Sequence, residues 1–327
     1  MYPTQAAPAA ARLRLTPEGS ARVQSATHEI GNGVRTAMAI TAAEGLGLPI
    51  ARIQVESGDT RLPPAPVSGG SNSTASVCNA VAKACEQIRD QIARAAVADA
   101  SSTFAGADPT VLKLHDGSLV APDDRRESLQ QAAGRIGQGA IEVYVENNPP
   151  GAKPDAPSKL YTGKAALVGG ANLKDRMQFA FGAQFVEVRV HRRTCEIRVP
   201  RAVGAFSFGR IVNPMAAKSQ LMGGQIWGIS AALHESTDID RRQARYYNDD
   251  LAEYLIPVNA DIIDIQTIML PELDTQMNPL GIKGVGELGN VGMNAAIANA
   301  VFHATGVRVR KLPIRLEKLL DAPAQQA

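Results

Sequence analysis

The feature that most limits the possible folds is a long amphipathic stretch in the first third of the chain. Between residues 74 and about 100, apolar side chains recur at Val77, Val81, Ala84, Ile88, Ile92 and Ala95. Spacings of three and four place them on one helical face, and Ser71, Ser73 and Thr74 offer capping hydroxyls at its start. A helix of that length needs a broad apolar surface to lie on. The surrounding sequence supplies strands: residues 12–15 and 21–28 alternate around Thr16-Pro17-Glu18-Gly19 as a hairpin, and 52–56, 111–114, 119–121 and 141–146 follow. Shorter helices are expected over 34–44, ending at Gly45, Gly47 and Pro49, and over 129–134.

Residues 147–158 contain four prolines and read as an extended connection. It divides the chain into two lobes, about 11–146 and 159–320, preceded by an Ala/Pro-rich segment, 1–10, that reads as a disordered tail. The second lobe is expected to hold long strands over 179–191 and 195–203, a helix over 214–235, a strand over 262–270 and a helix over 294–305 closed by Gly306. Strands and helices mix without a strict βαβ rhythm, so the fold class is α+β (mixed α/β).

At 327 residues, both lobes can bury a proper core. The net charge of +2, with basic and acidic residues interspersed, gives no support to a nucleic-acid partner. The three cysteines, Cys78, Cys85 and Cys195, have neither disulfide-framework nor zinc spacing and are too few for an iron–sulfur cluster. Cys78 and Cys85 lie seven apart on one helical face, as core residues. No run approaches the roughly 18–20 apolar residues that span a bilayer, and the first residues do not form a signal peptide. No membrane partner is expected, and the location is cytoplasmic, or periplasmic if a partner subunit carries the chain out.

Three places combine small residues with a following helix: Gly31-Asn32-Gly33, Gly69-Gly70-Ser71-Asn72-Ser73-Thr74, and residues 281–292. Helix N-termini present unpaired N–H groups that favour anions, so the three together suit one large anionic ligand. The third contains GxGxxG as Gly284, Gly286 and Gly289, but no buried strand precedes it, and Arg308 and Arg310 stand where a ribose-binding acid belongs. A nicotinamide-dependent dehydrogenase is therefore the weakest reading. Glu287, a carboxylate among glycines that let a ligand approach closely, reads either as a general base or as an ordinary exposed loop residue.

Gly281-Ile-Lys283-Gly-Val-Gly286-Glu287, with the small-residue helix from Asn294, resembles the C-terminal signature of the molybdenum-binding large subunit of the xanthine dehydrogenase and aldehyde oxidase family. Glu29-Ile-Gly31-Asn32-Gly33, Gly58-Asp59-Thr60, Gly70-Ser71-Asn72-Ser73-Thr74, Gly209-Arg210-Ile-Val-Asn213-Pro214 and Gln220-Leu-Met-Gly223-Gly224-Gln225 follow the same family's order, over roughly residues 10–320. The bacterial periplasmic type of aldehyde oxidoreductase is the nearest resemblance.

The resemblance implies a molybdenum–molybdopterin cofactor, in bacteria usually the cytosine dinucleotide form, with no protein side chain on the metal. It implies hydroxylation of aldehydes or N-heterocycles with water as the oxygen source. Glu287 falls on the family's catalytic base, Gln220 on a cofactor-contacting glutamine, and Ser71, Asn72, Ser73 and Thr74, with Gly31, Asn32, Gly33 and Gly286, on the cofactor-binding loops. Asn32 stands where many members have glutamine. The family's first molybdenum domain is expected to be absent from this chain and, like the iron–sulfur and FAD modules, to be supplied by a partner. The chain is expected not to turn over alone, and a truncated, non-catalytic scaffold or cofactor carrier is the alternative.

Overall fold

The computed structural model describes residues 1–137, 139–164, 166–170, 175 and 177–320. In chain order the first lobe runs β1 (Tyr2–Pro3), β2 (Gln5–Ala6), β3 (Ala9–Leu15), β4 (Ala21–Gln24), α1 (Val34–Leu46), β5 (Ile53–Glu56), α2 (Ser73–Ala98), β6 (Lys113–His115), β7 (Ser118–Val120), β8 (Arg126–Ser128), α3 (Leu129–Gly134) and β9 (Ile141–Asn147). The second continues with α4 (Ala156–Leu160), β10 (Val168–Gly169), β11 (Phe179–Val190), β12 (Ile197–Ser207), α5 (Pro214–Leu233), β13 (Ile239–Asp240), β14 (Arg245–Tyr246), β15 (Asp264–Leu270), α6 (Met293–Thr305) and α7 (Glu317–Leu320). The mixed α+β class holds.

The long helix finds the surface its pattern demands. Val77, Val81, Ala84, Ile88 and Ile92 of α2 pack on Leu13, Leu15, Val23, Val143 and Val145, which line one face of a sheet ordered β5-β4-β3-β9. In β9 the buried residues alternate, as one covered face requires. Cys85 lies in this packing, and Cys78 in a separate buried cluster with Ala6, Ala37, Ala75 and Ile282; burial pushes their thiols up to about 12 and about 11, so both stay protonated and inert. Cys195 sits half-buried in the β11–β12 turn.

The second sheet, β1-β11-β12-β15, is antiparallel except for the parallel pair β12–β15. Helices α5 and α6 cover one of its faces through Val199, Ala202, Ile229, Met293, Ile297 and Val301.

Two expectations need correction. Residues 1–10 are not a tail: Tyr2 pairs with Ala180, Ala6 with Val168, and Ala9 through Leu15 with β9. Ala7, Ala9 and Ala10 are fully buried. Small side chains and proline look like low complexity in sequence, but alanine lets a backbone run close to its neighbours. Here Ala7 N–H donates to Ser76 Oγ (2.9 Å) and Ala10 N–H to Pro64 O (2.8 Å). The segment joins the sheets of both lobes. The proline-rich connection is likewise not extended throughout, since α4 closes it, with Pro157 in its first turn where a missing N–H costs nothing.

Candidate functional site

The glycine loop at residues 281–292 is anchored before it reaches Glu287. Asn278 Nδ2 donates to Ile282 O (2.7 Å), and its Oδ1 accepts from Ile282 N–H (3.1 Å) and from Asn79 Nδ2 on α2 (3.0 Å). Lys283 buries its ammonium between Glu272 (2.5 Å) and Asp274 (3.0 Å). Glu272 in turn accepts from Ser207 Oγ (2.7 Å) and Gly209 N–H (3.0 Å) at the end of β12. Burial opposes both charges, but these partners outweigh it. They hold the Glu272 carboxyl below the usual carboxylate range and the Lys283 ammonium above the usual lysine range.

Beyond that anchor the loop meets the other two. Gly284 N–H donates to Thr4 Oγ1 (2.6 Å), and Glu287 N–H donates to Ser71 Oγ (3.1 Å). Ser71, held at φ 54, also turns its hydroxyl to Glu287 Oε2 (3.4 Å). The Tyr2 phenol donates to the same carboxylate oxygen. Burial, followed by the Glu287 contact, pushes Tyr2 up to about 12, so it remains a donor across the neutral range. Glu287 is half-buried and faces two hydroxyl donors, which an ordinary exposed loop carboxylate lacks.

Helix α5 supplies the floor. At Gly224 it abuts Gly289 so closely that a Cβ on Gly224 would lie 2.9 Å from Gly289 Cα. One turn earlier, Gln220 Oε1 lies 3.0 Å from where a Gly286 Cβ would be. Gln220 Nε2 reaches Gly31 O at 3.5 Å, so one side chain touches both the first and the third loop. A cavity of about 50 Å³, lined by Asn32, Thr74, Arg210, Asn213, Gln220 and Lys283 among others, lies between them. All three predicted loops thus converge on the start of α5.

The loops differ in what they leave free. In the first, Glu29 fills its own anion site: its carboxylate accepts from the N–H groups of Gly31 (2.9 Å), Gly33 (2.9 Å) and Arg35 (3.2 Å). Asn32 Oδ1 accepts from Val34 N–H (3.2 Å). The positive end of α1 is therefore already answered, and loop one offers space, with nothing within 4 Å of a Gly31 Cβ, rather than free N–H groups. In the second loop Asn72 is fully buried, and its Nδ2 donates to Val67 O (3.0 Å) and Gly69 O. It builds the loop and has no amide donor left for a ligand. No side chain caps the N-terminus of α2, and its first turn carries no acid. Ser73 Oγ makes only a long contact to Ser68 (3.3 Å).

Sequence reasoning missed Tyr2, Thr4, Glu29 and Lys283. Glu29 stood beside a glycine triplet and could have been read as its cap; Tyr2 and Thr4 lay in the supposed tail, 285 and 280 residues from their partners.

The profile of the molybdopterin cofactor-binding domain matches residues 1–263. The chain belongs to that family. Over 311 residues it is 37% identical to the aldehyde oxidoreductase molybdenum-binding subunit PaoC of Escherichia coli O157:H7, covering 95% of this chain and 38% of the relative. It is 28% identical to the putative xanthine dehydrogenase molybdenum-binding subunit XdhA of E. coli K12, covering 96% and 39%. The fold matches quinoline 2-oxidoreductase from Pseudomonas putida 86 (TM-score 0.79, 21% identity, 98% of this chain and 39% of that one). It also matches aldehyde oxidoreductase from Desulfovibrio gigas (TM-score 0.69, 23% identity, 98% and 31%). The molybdopterin-binding domain described here thus spans less than half the length of these relatives. Among the described residues, no helix is long and apolar enough to cross a membrane.

Proposed function

We propose that this chain forms the base-bearing wall of the active site of a molybdenum hydroxylase that oxidises aldehydes or N-heterocycles. The observation that carries the reading is the meeting of the second and third loops at Glu287, whose carboxylate is held by Tyr2 and Ser71, with the first loop joined to them through Gln220. The residues fit a molybdopterin. The uncapped start of α2, with the Ser73 and Thr74 hydroxyls, suits its phosphate, in the cytosine dinucleotide form or a shorter one. Gln220 and the open space over Gly31 suit the flat pterin. When bound, the cofactor supplies a Lewis acid and a two-electron acceptor.

The chain's own groups do the rest. Glu287 accepts the proton of the water that supplies the product's oxygen atom. Tyr2 and Ser71 fix the direction of its carboxylate, so little reorganisation is needed as the proton arrives. Lys283 and Asn278 hold the loop at its base. The segment that would complete the pocket belongs to the part of the relatives that this chain does not span, and iron–sulfur and FAD subunits would take the electrons onward.

Co-expression with a polypeptide supplying that part, and with both electron-transfer subunits, tests the reading. The assembly should contain molybdenum by mass spectrometry, and Glu287→Gln should abolish aldehyde turnover without lowering metal content. Retained turnover refutes the role of Glu287. The second reading is a cofactor carrier without catalysis; bound cofactor with no turnover when every partner is present would decide for it.

A further inference from the structure

The covered face of the second sheet is crossed by polar groups at one level, and that level lies behind the loop that carries Glu287. On β11, Ala180, Val186, Val188 and Val190 pack into apolar clusters. Gln184 stands among them. Its cross-strand neighbour is Gly204 of β12, which in turn stands opposite Thr267 of β15. Gln225 of α5 lies over Gly204, fully buried, and its Nε2 donates to Thr267 Oγ1 (3.0 Å). A Cβ on Gly204 would lie 3.1 Å from Gln225 Oε1.

These amides are costly where they stand. Gln184 Oε1, Gln225 Oε1 and Asn290 Oδ1 are buried without a hydrogen-bond partner among the described residues. Each has given up water with nothing in return, and methionine at position 184 would sit among the valines without that loss. What Gln184 does provide is a donor. Its Nε2 donates to Gly289 O (2.7 Å). Gly289 lies in the turn that Glu287 opens and that Asn290 N–H closes by donating to Glu287 O (3.1 Å). On its other side the turn leans on α5, where a Gly289 Cβ would lie 3.1 Å from Gln225 N. A Gly292 Cβ would lie 3.2 Å from Gln184 Oε1, so a glycine at 292 leaves the amide its room.

We propose that Gln184 is a positioning residue for the base. It fixes Gly289 from the sheet side while α5 fixes it from the other, and so sets the direction in which Glu287 leaves the loop. The inference rests on the functional reading above, which makes Glu287 the base. Tyr2 and Ser71 hold the carboxylate itself, whereas Gln184 holds the backbone that carries it. Because β1 pairs with β11, Tyr2 and Gln184 belong to one sheet. Carboxylate and backbone are thus both referenced to the same rigid element, as a preorganised site requires.

The test is Gln184→Met in the co-expressed assembly, since methionine keeps an unbranched side chain and removes the donor. A displacement near 1 Å can cost about a hundredfold, so kcat should fall about tenfold or more, while KM for an aldehyde stays within about twofold. Molybdenum content should not change. The isolated chain should keep its circular dichroism and its urea midpoint, because losing the unpartnered Oε1 offsets the stranded Gly289 carbonyl. An unchanged kcat overturns the positioning role. So does a fall in kcat that comes with lost metal or a lowered urea midpoint, which marks Gln184 as structural. Glu287→Gln in the same assembly separates the two readings. Its retained turnover overturns the functional reading and the positioning role with it. An inactive Glu287→Gln beside an undiminished Gln184→Met overturns the positioning role alone.

Discussion

Two adjacent glycines on α5 should respond to the same substitution with opposite signs. At Gly223 a Cβ would meet nothing within 4 Å. Gly223→Ala therefore acts only on the backbone entropy of a helix interior and should stabilise the chain by about 0.5–1 kcal/mol. At Gly224 the same methyl would lie 2.9 Å from Gly289 Cα and 3.1 Å from Asn290 N and Gly289 C. Those atoms are backbone and cannot swing aside. The first distance falls roughly 0.6 Å short of normal carbon–carbon contact, so the helix or the loop must move. Overpacking of this kind costs about 1–3 kcal/mol, which outweighs the helical gain and leaves Gly224→Ala destabilised by about 1–2 kcal/mol. Urea unfolding followed by circular dichroism measures both variants directly in this chain. Equal shifts, or a stabilised Gly224→Ala, would show that α5 does not press on the loop carrying Glu287. In an assembled enzyme the displaced base should also slow turnover, since a misplacement near 1 Å can cost about a hundredfold.

Three further outcomes follow from the site. Tyr2→Phe should remove one late-titrating phenol, near pH 12, from the alkaline absorbance titration at 295 nm. Because the folded value lies above the ordinary tyrosine value of 10, the wild type should lose stability as pH rises from 10 toward 12, and the variant should not share that loss. Glu29→Gln should weaken the answer to three N–H groups at the start of α1 and destabilise the chain by about 1 kcal/mol in urea. Lys283→Met strands Glu272 and Asp274 and should cost about 3 kcal/mol. With Glu272 held low and Lys283 held high, wild-type stability from this cluster falls on the acid side, as pH drops through the lowered carboxyl value. It falls on the alkaline side as pH passes the raised ammonium value. The variant's pH–stability curve should be flatter on both flanks.

Local pattern was enough for most of the elements. The expected helix over 34–44 is Val34–Leu46, that over 214–235 is Pro214–Leu233, and the hairpin around Thr16–Gly19 pairs Leu15 with Ala21. Each rests on period and punctuation within a dozen residues, where the chain's own geometry decides. The three loops were legible for the same reason, because glycine before a helix is a local signal.

The site itself was only partly legible. The sequence alone determined that Glu287 sits among glycines and that Ser71 begins a loop with cofactor-like hydroxyls. It could not say that they touch, because 216 residues lie between them. Nor could it turn Asn72 inward, fill the Gly31–Gly33 turn with Glu29, or bring Tyr2 from an apparent tail onto the base. Those outcomes depend on how two sheets and α5 pack. Hydrogen-bond partners far apart in sequence leave no periodicity to read, and only the closed tertiary structure selects which donor reaches which acceptor.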